Sequence, residues 1–299
     1  MSRRLTPAAL LLGLALTLLG GCQGEADRQE EPAPQPAASR IIALTPSVAE
    51  TLFALGLGDR VVGVSDYSTW PPEVKSKPRL GGLFNPNLEK IVALDPDLAI
   101  LIPSEHDLGE KLRGLGVDTL TVQNESLADV EKSIATIARR CGVPEEGDRL
   151  AAEWRQGLTP RPLVTRDGRR PRVLISVGRP AGRLTDLLIA GPGTFLDELL
   201  TRLGAENVFA DAGSKWPQIP LEEVVARAPD VILEVRVEEL SPQVKEELKR
   251  DWNGLPGLPA TQGGRIEVID GDYTVIPGPR LPQVYADMAA ALAKHVEAR

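Results

Sequence analysis

Residues 85–101 read NPNLEKIVALDPDLAIL, and residues 217–235 read PQIPLEEVVARAPDVILEV. A shift of 133 positions lays Leu88-Glu89 over Leu221-Glu222 and Pro96-Asp97 over Pro229-Asp230 without a gap. Leu52-x-x-Leu55-Gly56 is echoed in the same way by Leu200-x-x-Leu203-Gly204. Copies so few and so imperfect do not build a solenoid. They predict two similar lobes facing one another, and the gap between such lobes is a natural ligand cleft.

Around the copies the chain alternates as a wound sheet requires. Ile41 to Leu44 is a short apolar run and reads as a buried strand. Thr45-Pro46-Ser47 follows, with Ser47 as N-cap and Glu50 closing a capping box, and Leu52, Phe53, Leu55 and Gly56 mark a helix and its stop. Val61–Val64, Leu98–Ile102 and Val117–Val122 read as further strands, with helices over 87–94 and 107–115. Residues 126–157 break the rhythm. Leu127, Val130, Ile134, Ile137 and Ala138 recur at helical spacing, Gly142-Val143-Pro144 interrupts, and a second helical stretch runs through Leu150, Ala151 and Trp154. The alternation then restarts, with strands at Val173–Val177, Val231–Val235 and Ile266–Ile269 and helices at 193–203, 220–227, 241–250 and 280–297. Apolar strands alternating with helices imply parallel sheets covered on both faces. The expected fold is therefore α/β: two similar lobes, 40–125 and 158–299, joined by the helical segment 126–157.

The N-terminus reads as an export signal. Arg3 and Arg4 precede an apolar stretch from Leu10 to Leu19 that is short for a bilayer span, which predicts a signal peptide over 1–21. Leu19-Gly20-Gly21-Cys22 resembles the lipobox of bacterial lipoproteins, in which the cysteine is lipidated and becomes the first residue; an ordinary signal peptide cleaved nearby is the alternative. Residues 22–39 are polar and Pro-rich and read as a flexible tether between membrane and domain. Loss of residues 1–21, which takes two arginines and no acid, would bring the formal charge from -8 to -10. An acidic chain without a Lys/Arg block is a poor partner for nucleic acid. With Cys22 lipidated, Cys141 has no disulfide partner and reads as a small buried hydrophobe. The two histidines, His106 and His295, stand in no ligand spacing, so neither a metal site nor a resident cofactor is expected.

In the repeated phrase Leu88, Ile91, Val92 and Leu94 read as core positions of a short helix that Pro96 stops. Glu89 and Glu222 both fall in a first turn, where the helix dipole favours a carboxylate by about 0.3–1 kcal/mol. That accounts for either glutamate taken singly. The alternative is that each lobe presents an exposed carboxylate to a basic partner.

Three stretches carry a resemblance: Arg40 to Glu50 (RIIALTPSVAE), Gly81 to Ile91 (GGLFNPNLEKI), and Trp216-Pro217-Gln218 before Glu222. Together they resemble the helical-backbone class of substrate-binding proteins of ABC importers, which serve cobalamin, iron-siderophores and haem, over about residues 40–297. Within the class the likeness is greatest to its cobalamin-binding members. The resemblance implies lobes joined by one long rigid helix, little closure on ligand, and a glutamate on each lobe, here Glu89 and Glu222, that meets arginines of a membrane permease working with ATPase subunits. It implies capture of cobalamin or a related corrinoid. An iron-siderophore is the alternative, and haem fits less well because only His106 or a tyrosine could serve as its axial ligand.

The cleft should lie at the carboxyl ends of the strands. Aromatics following those ends are the candidate ligand contacts: Tyr67, Trp70, Phe84, Trp216 and Tyr273, whose flat faces suit a corrin, porphyrin or aromatic siderophore. Arg179, after the strand ending at Val177, could donate to polar groups of the ligand, while Arg280 reads as the start of the last helix. Against the cobalamin-binding pattern, Leu83-Phe84 and Ile102 stand where tryptophans are found, and Ile276 where a cleft arginine is found. No nucleophile–base set, metal spacing, Gly-x-Ser-x-Gly or phosphate loop appears, which argues against an enzyme. Gly191-Pro192-Gly193-Thr194 before a helix could bind an anion but equally reads as turn chemistry. The remaining alternative of another kind is a structural lipoprotein without a transport role.

Overall fold

The computed structural model describes residues 37–298 apart from 83, 104–107, 166, 181 and 256. The expected signal peptide, the lipidated Cys22, most of the tether, Leu83 and His106 lie outside the described residues. In the first lobe, strands β1 (Ile41–Ala43), β2 (Val61–Val64), β3 (Leu98–Leu101) and β4 (Thr119–Thr121) form a parallel sheet in the order β2-β1-β3-β4. Helices α1 (Pro46–Ala54), α2 (Leu88–Ala93) and α3 (Leu108–Gly114) connect them. Ile41 and Ile100 bury into one face of the sheet, and Ile42 and Leu101 into the other, so both faces are covered.

The linker between the lobes is helical, as the sequence predicts, and is built as a hairpin. Helices α4 (Leu127–Arg140) and α5 (Pro144–Gly157) are 14 residues each, about 21 Å at 1.5 Å per residue. Ser126 caps α4 in a full capping box with Asp129. Leu127, Val130 and Ile134 pack into the core of the second lobe, and Ile137, Ala138 and Cys141 into that of the first. Helix α5 then returns, and Ala151 and Trp154 enter the second core again. The chain therefore crosses between the lobes three times: in the loop after β4, in α4 and in α5. The turn is held by Arg60, which donates to the Cys141 carbonyl at 2.8 Å. Cys141 is fully buried, and its thiol is pushed up to about 11 by that burial.

The second lobe contains β5 (Leu163–Val164), β6 (Arg172–Gly178), β7 (Leu187–Ile189), β8 (Glu206–Asn207), β9 (Gln218–Ile219), β10 (Val231–Arg236), β11 (Ile266–Asp270) and β12 (Glu297–Ala298). Its helices are α6 (Phe195–Arg202), α7 (Leu221–Arg227), α8 (Pro242–Asn253), α9 (Pro259–Gln262) and α10 (Leu281–Ala293). The main sheet runs β11-β10-β6-β7-β9, with β8 alongside β6. It is mixed rather than parallel throughout. Strand β7 turns back antiparallel to β6 and to β9, and these short strands carry too little alternation to be read from sequence. A separate antiparallel pair joins β5 and β12.

Three local readings are corrected. Ser47 is not the N-cap of α1: Thr45 is, without a side-chain cap bond, and Glu50 points away to the other lobe. Pro46 stands at the first helical position, where its fixed φ starts the helix directly after Thr45. Val92 is 43% exposed rather than core. Helix α2 is only six residues long, so one face suffices to bury it, and Ile91 carries that burial.

The hairpin depends on close approach. A Cβ at Gly147 would overlap the Cβ of Ala138 across the two helices. In an exposed helix, Gly→Ala would gain about 1 kcal/mol. Here overpacking of about 1–3 kcal/mol opposes it, so Gly147→Ala should lower the urea midpoint, and a rise would refute this packing account.

Candidate functional site

Parallel strands direct their carboxyl ends to one rim, and the described lining of one cavity follows those ends closely. Thr45 and Ser47 come after β1, Tyr67 after β2, Ile102 after β3 and Asn124 after β4. The second lobe closes the cavity with Val275, Ile276 and Pro277, in the loop after β11. Its volume is about 240 Å³, small for a ligand pocket of the usual 300–1,000 Å³ or so. Tyr67 and Phe84, which flank it, are 69% and 75% exposed. The cavity is thus the floor of an open cleft, with two aromatic faces standing uncovered at its mouth. None of its described lining residues is charged.

Trp216 stands apart from this lining. It is 40% exposed and tilts against Phe195, with ring centroids 6.1 Å apart. Phe195 N–H donates to the Glu125 carbonyl, and Lys215 pairs with the Glu125 carboxylate, so Trp216 lies beside the entry to the linker, next to Asn124. Glu89 and Glu222 are exposed, and neither has a hydrogen-bond or ion-pair partner among the described residues. Helices α2 and α7 each run into the start of a strand, β3 and β10. Their first turns therefore lie at the carboxyl-end rim, on the side where the cleft opens.

Three candidates are placed elsewhere. Arg179 is a structural residue and not a cleft residue. Its side chain has no exposed surface. Nε donates to Glu234, Nη1 to Asp251 at 2.8 Å and Nη2 to the Leu248 carbonyl at 3.0 Å. Glu234 is itself fully buried, also accepts from Trp252 Nε1 and ion-pairs with Arg236, so the cluster is a paired charge network inside the lobe. Tyr273 turns toward α10. Its hydroxyl donates to Asp287 at 2.6 Å, and burial together with that carboxylate pushes the phenol up to about 12. Trp70 lines a separate hollow of about 600 Å³ with Glu50, Phe53 and Arg280.

The group that sequence reading missed is the one joining the lobes. Arg280, the N-cap of α10, reaches across to Glu50 of α1, donating from Nε at 3.0 Å and from Nη2 at 2.5 Å. Its Nη1 donates to Asp272 at 2.7 Å, and Asp272 also accepts from Thr69 of the first lobe at 2.7 Å. The guanidinium carbon lies 5.2 Å from the Trp70 ring centre and 5.5 Å from that of Tyr273, within cation–π range. A signal existed in the sequence: Glu50 is the one charged residue of the otherwise uncharged segment 46–54, and once that helix is buried its charge requires a partner. The Gly191–Thr194 turn holds its own helix end, since Thr194 Oγ1 accepts from Asp197 N and Gly193 N donates to Asp197.

A second, polar hollow of about 620 Å³ lies at the amino ends of the second sheet. Its charges pair among themselves and their neighbours: Arg169 with Asp167 and Asp230, and Lys294 and His295 with Glu267. No group of His, Cys, Asp and Glu among the described residues could hold a metal ion.

Residues 41–273 match the family described as periplasmic binding protein. The chain is 30% identical to the ABC transporter substrate-binding lipoprotein YvrC of Bacillus subtilis, over 95% of each chain. Among solved structures, the periplasmic vitamin B12 binding protein BtuF of Vibrio cholerae superposes with a TM-score of 0.70 at 27% identity, covering 86% of this chain and 98% of that one. The periplasmic heme-binding protein RhuT of Roseiflexus superposes with a TM-score of 0.70 at 28% identity, over 87% and 99% of the two chains.

Burial pushes the Glu50 carboxyl up despite its pairing with Arg280, whereas at Asp272 the bonds from Arg280 and Thr69 outweigh burial and hold the carboxyl low. Because the folded Glu50 binds its proton more tightly than the unfolded one, stability from this group falls as pH rises from about 4.5 through its folded pKa. Arg280→Ala should cost about 3–5 kcal/mol at pH 7, where Glu50 is left charged and buried. The loss should shrink toward pH 5, and adding Glu50→Gln should recover part of it. Denaturant titrations at both pH values check this, and a pH-independent loss would contradict it.

Proposed function

The chain belongs to the periplasmic binding protein family, and on that premise we propose that it captures cobalamin or a related corrinoid between its lobes and delivers it to an ABC importer. Substrate-binding proteins of ABC transporters work outside the cytoplasm with a permease and its ATPase subunits and carry a small molecule rather than transform it. The observation that supports a flat ligand is the uncharged cavity at the carboxyl-end rim with Tyr67 and Phe84 open above it. Aromatic faces of this kind gain by stacking on a macrocycle beyond the area they bury. Trp216 would extend the platform on the second lobe. Trp70, Tyr273 and Arg179 would act by holding the walls.

A ferric siderophore or haem is the second reading, favoured by the equal superposition on a haem-binding protein. Tyr67 would be the residue to meet an iron, since the Tyr273 phenol is engaged by Asp287.

Glu89 and Glu222 would dock the loaded protein. Two unpartnered carboxylates, one per lobe, suit charge-assisted pairing with arginines of the permease and an oriented, reversible contact. Lipid on Cys22 would hold the protein at a membrane face, and no helix of the described residues is long and apolar enough to cross one. No catalytic residue and no nucleic-acid partner belong to this reading.

Purified protein mixed with cyanocobalamin should retain the red chromophore through gel filtration and give a calorimetric binding signal. Tyr67→Ala and Phe84→Ala should each weaken that binding about tenfold or more, roughly 1.4 kcal/mol. Retention of no chromophore would remove the corrinoid assignment. Glu89→Ala with Glu222→Ala should leave affinity unchanged and abolish uptake by the importer, and uptake at the original rate would refute the docking role.

A further inference from the structure

We infer that the part of the ligand this cleft buries carries no negative charge, so that the protein selects an uncharged or cationic metal complex and refuses anionic ones. The inference rests on the cleft being the ligand site, as proposed above, and adds the charge class of what enters it.

Four cations near the cleft face protein partners. Arg280 spends its guanidinium on Glu50 and Asp272. Lys215 pairs with Glu125. Arg79 donates to the Ser65 and Ser68 carbonyls at 3.0 and 2.6 Å. At the carboxyl end of β10, Arg236 ion-pairs with the buried Glu234 at 3.1 Å and donates from Nη1 to the Arg179 carbonyl, while its Nε and Nη2 are buried without a hydrogen-bond partner among the described residues. What faces the cavity instead is hydroxyl and amide: Thr45, Ser47, Ser65 and Asn124, set among apolar walls. Asn124 donates to Ser47 Oγ at 3.2 Å, so this polar edge is already ordered. Acids stand close by, with Asp66 exposed beside Tyr67 and Asp272 at the inter-lobe bridge.

Such a surface can bond to amides, carbonyls and hydroxyls of a ligand. It cannot repay the desolvation of a carboxylate or catecholate, which costs several kcal/mol per unpaired ion in a low-dielectric site. Arg183, on the loop after β6, comes to the same rim of the second sheet but does not line the cavity.

The test is a titration panel at fixed pH: cyanocobalamin, a ferric trihydroxamate, haemin and a ferric triscatecholate. The expected result is binding by one or both of the first two, with haemin and the triscatecholate at least 100-fold weaker. The affinity of the bound complex should change less than twofold between 0.05 and 0.5 M salt, because no ion pair is formed to be screened. Ile276→Arg should narrow the gap to the anionic complexes at least tenfold, while Arg183→Ala should leave the panel unchanged. Binding of haemin or the triscatecholate as tightly as the uncharged complexes would overturn the inference and leave the cleft standing as a ligand site. If none of the four binds, the reading of the cleft itself fails and this inference with it.

Discussion

A carboxylate almost wholly withdrawn from water organises the space between the lobes. Glu50 lies on a helix with no open face, and its charge is met by a guanidinium from the far side of the cleft. Removing either partner would strand a buried charge, which is why such pairs cost more to break than they contribute when intact. The two segments they join are also the two cleft walls. Helix α1 begins at the Thr45–Ser47 wall, and Arg280 follows the Val275–Pro277 wall by three residues. Gly278 packs close to Ser47, and its carbonyl accepts from Trp154 of the linker at 3.2 Å. The width of the cleft at this end is therefore set by the length of two side chains and by the linker behind them.

The linker reinforces that limit. A loop hinge absorbs domain closure in a few dihedral angles. Three crossings, two of them helices packed on each other, leave few dihedral angles to do so. The α4 end is pinned to the second lobe by the Leu127 N–H to Glu198 bond at 2.7 Å, and the hairpin turn to the first lobe by Arg60. Opening and closing should then be small, and the exposed aromatics can meet a ligand without a large rearrangement.

Much of this was legible from periodicity. The apolar runs became strands and most of the i, i+3, i+4 patterns became helices within a residue or two, but α8 runs to Asn253 rather than 250, and α10 stops at Ala293 rather than 297, where the chain instead forms β12. The carboxyl-end argument led to Tyr67 and Phe84 because it depends only on strand direction. What failed was what backbone pattern does not encode. Arg179 and Tyr273 also follow strand ends, yet each is claimed by an acid distant in sequence, Glu234 or Asp287. Trp70 is only three residues from Tyr67 but faces Arg280. Side-chain direction there is decided by a tertiary ion pair, and one residue of Glu50's pairing could not be seen without the other. The antiparallel turn of β7 was hidden for a different reason, since a strand of three residues has too few alternations to register.

The repeated phrase separates what the fold needs from what it does not. Ile91 and Val224 superpose in the repeat and are both fully buried, as a helix on a sheet requires. Glu89 and Glu222 superpose and are both exposed, so packing does not explain why both are acidic. One register further along, the copies part company. Leu101 of β3 falls on Glu234 of β10. Leu101 is an ordinary apolar core residue, whereas Glu234 is a buried charge that must be compensated. Compensation comes from Arg179 and Arg236, both at strand ends that approach the cleft rim. Had position 234 stayed apolar, Arg179 would have kept only Asp251 as a carboxylate partner and Arg236 would have had none, at the carboxyl-end rim, the natural place to receive an anionic ligand. A single acid in the second copy thus draws Arg179 and Arg236 toward the core of that lobe and away from the cleft.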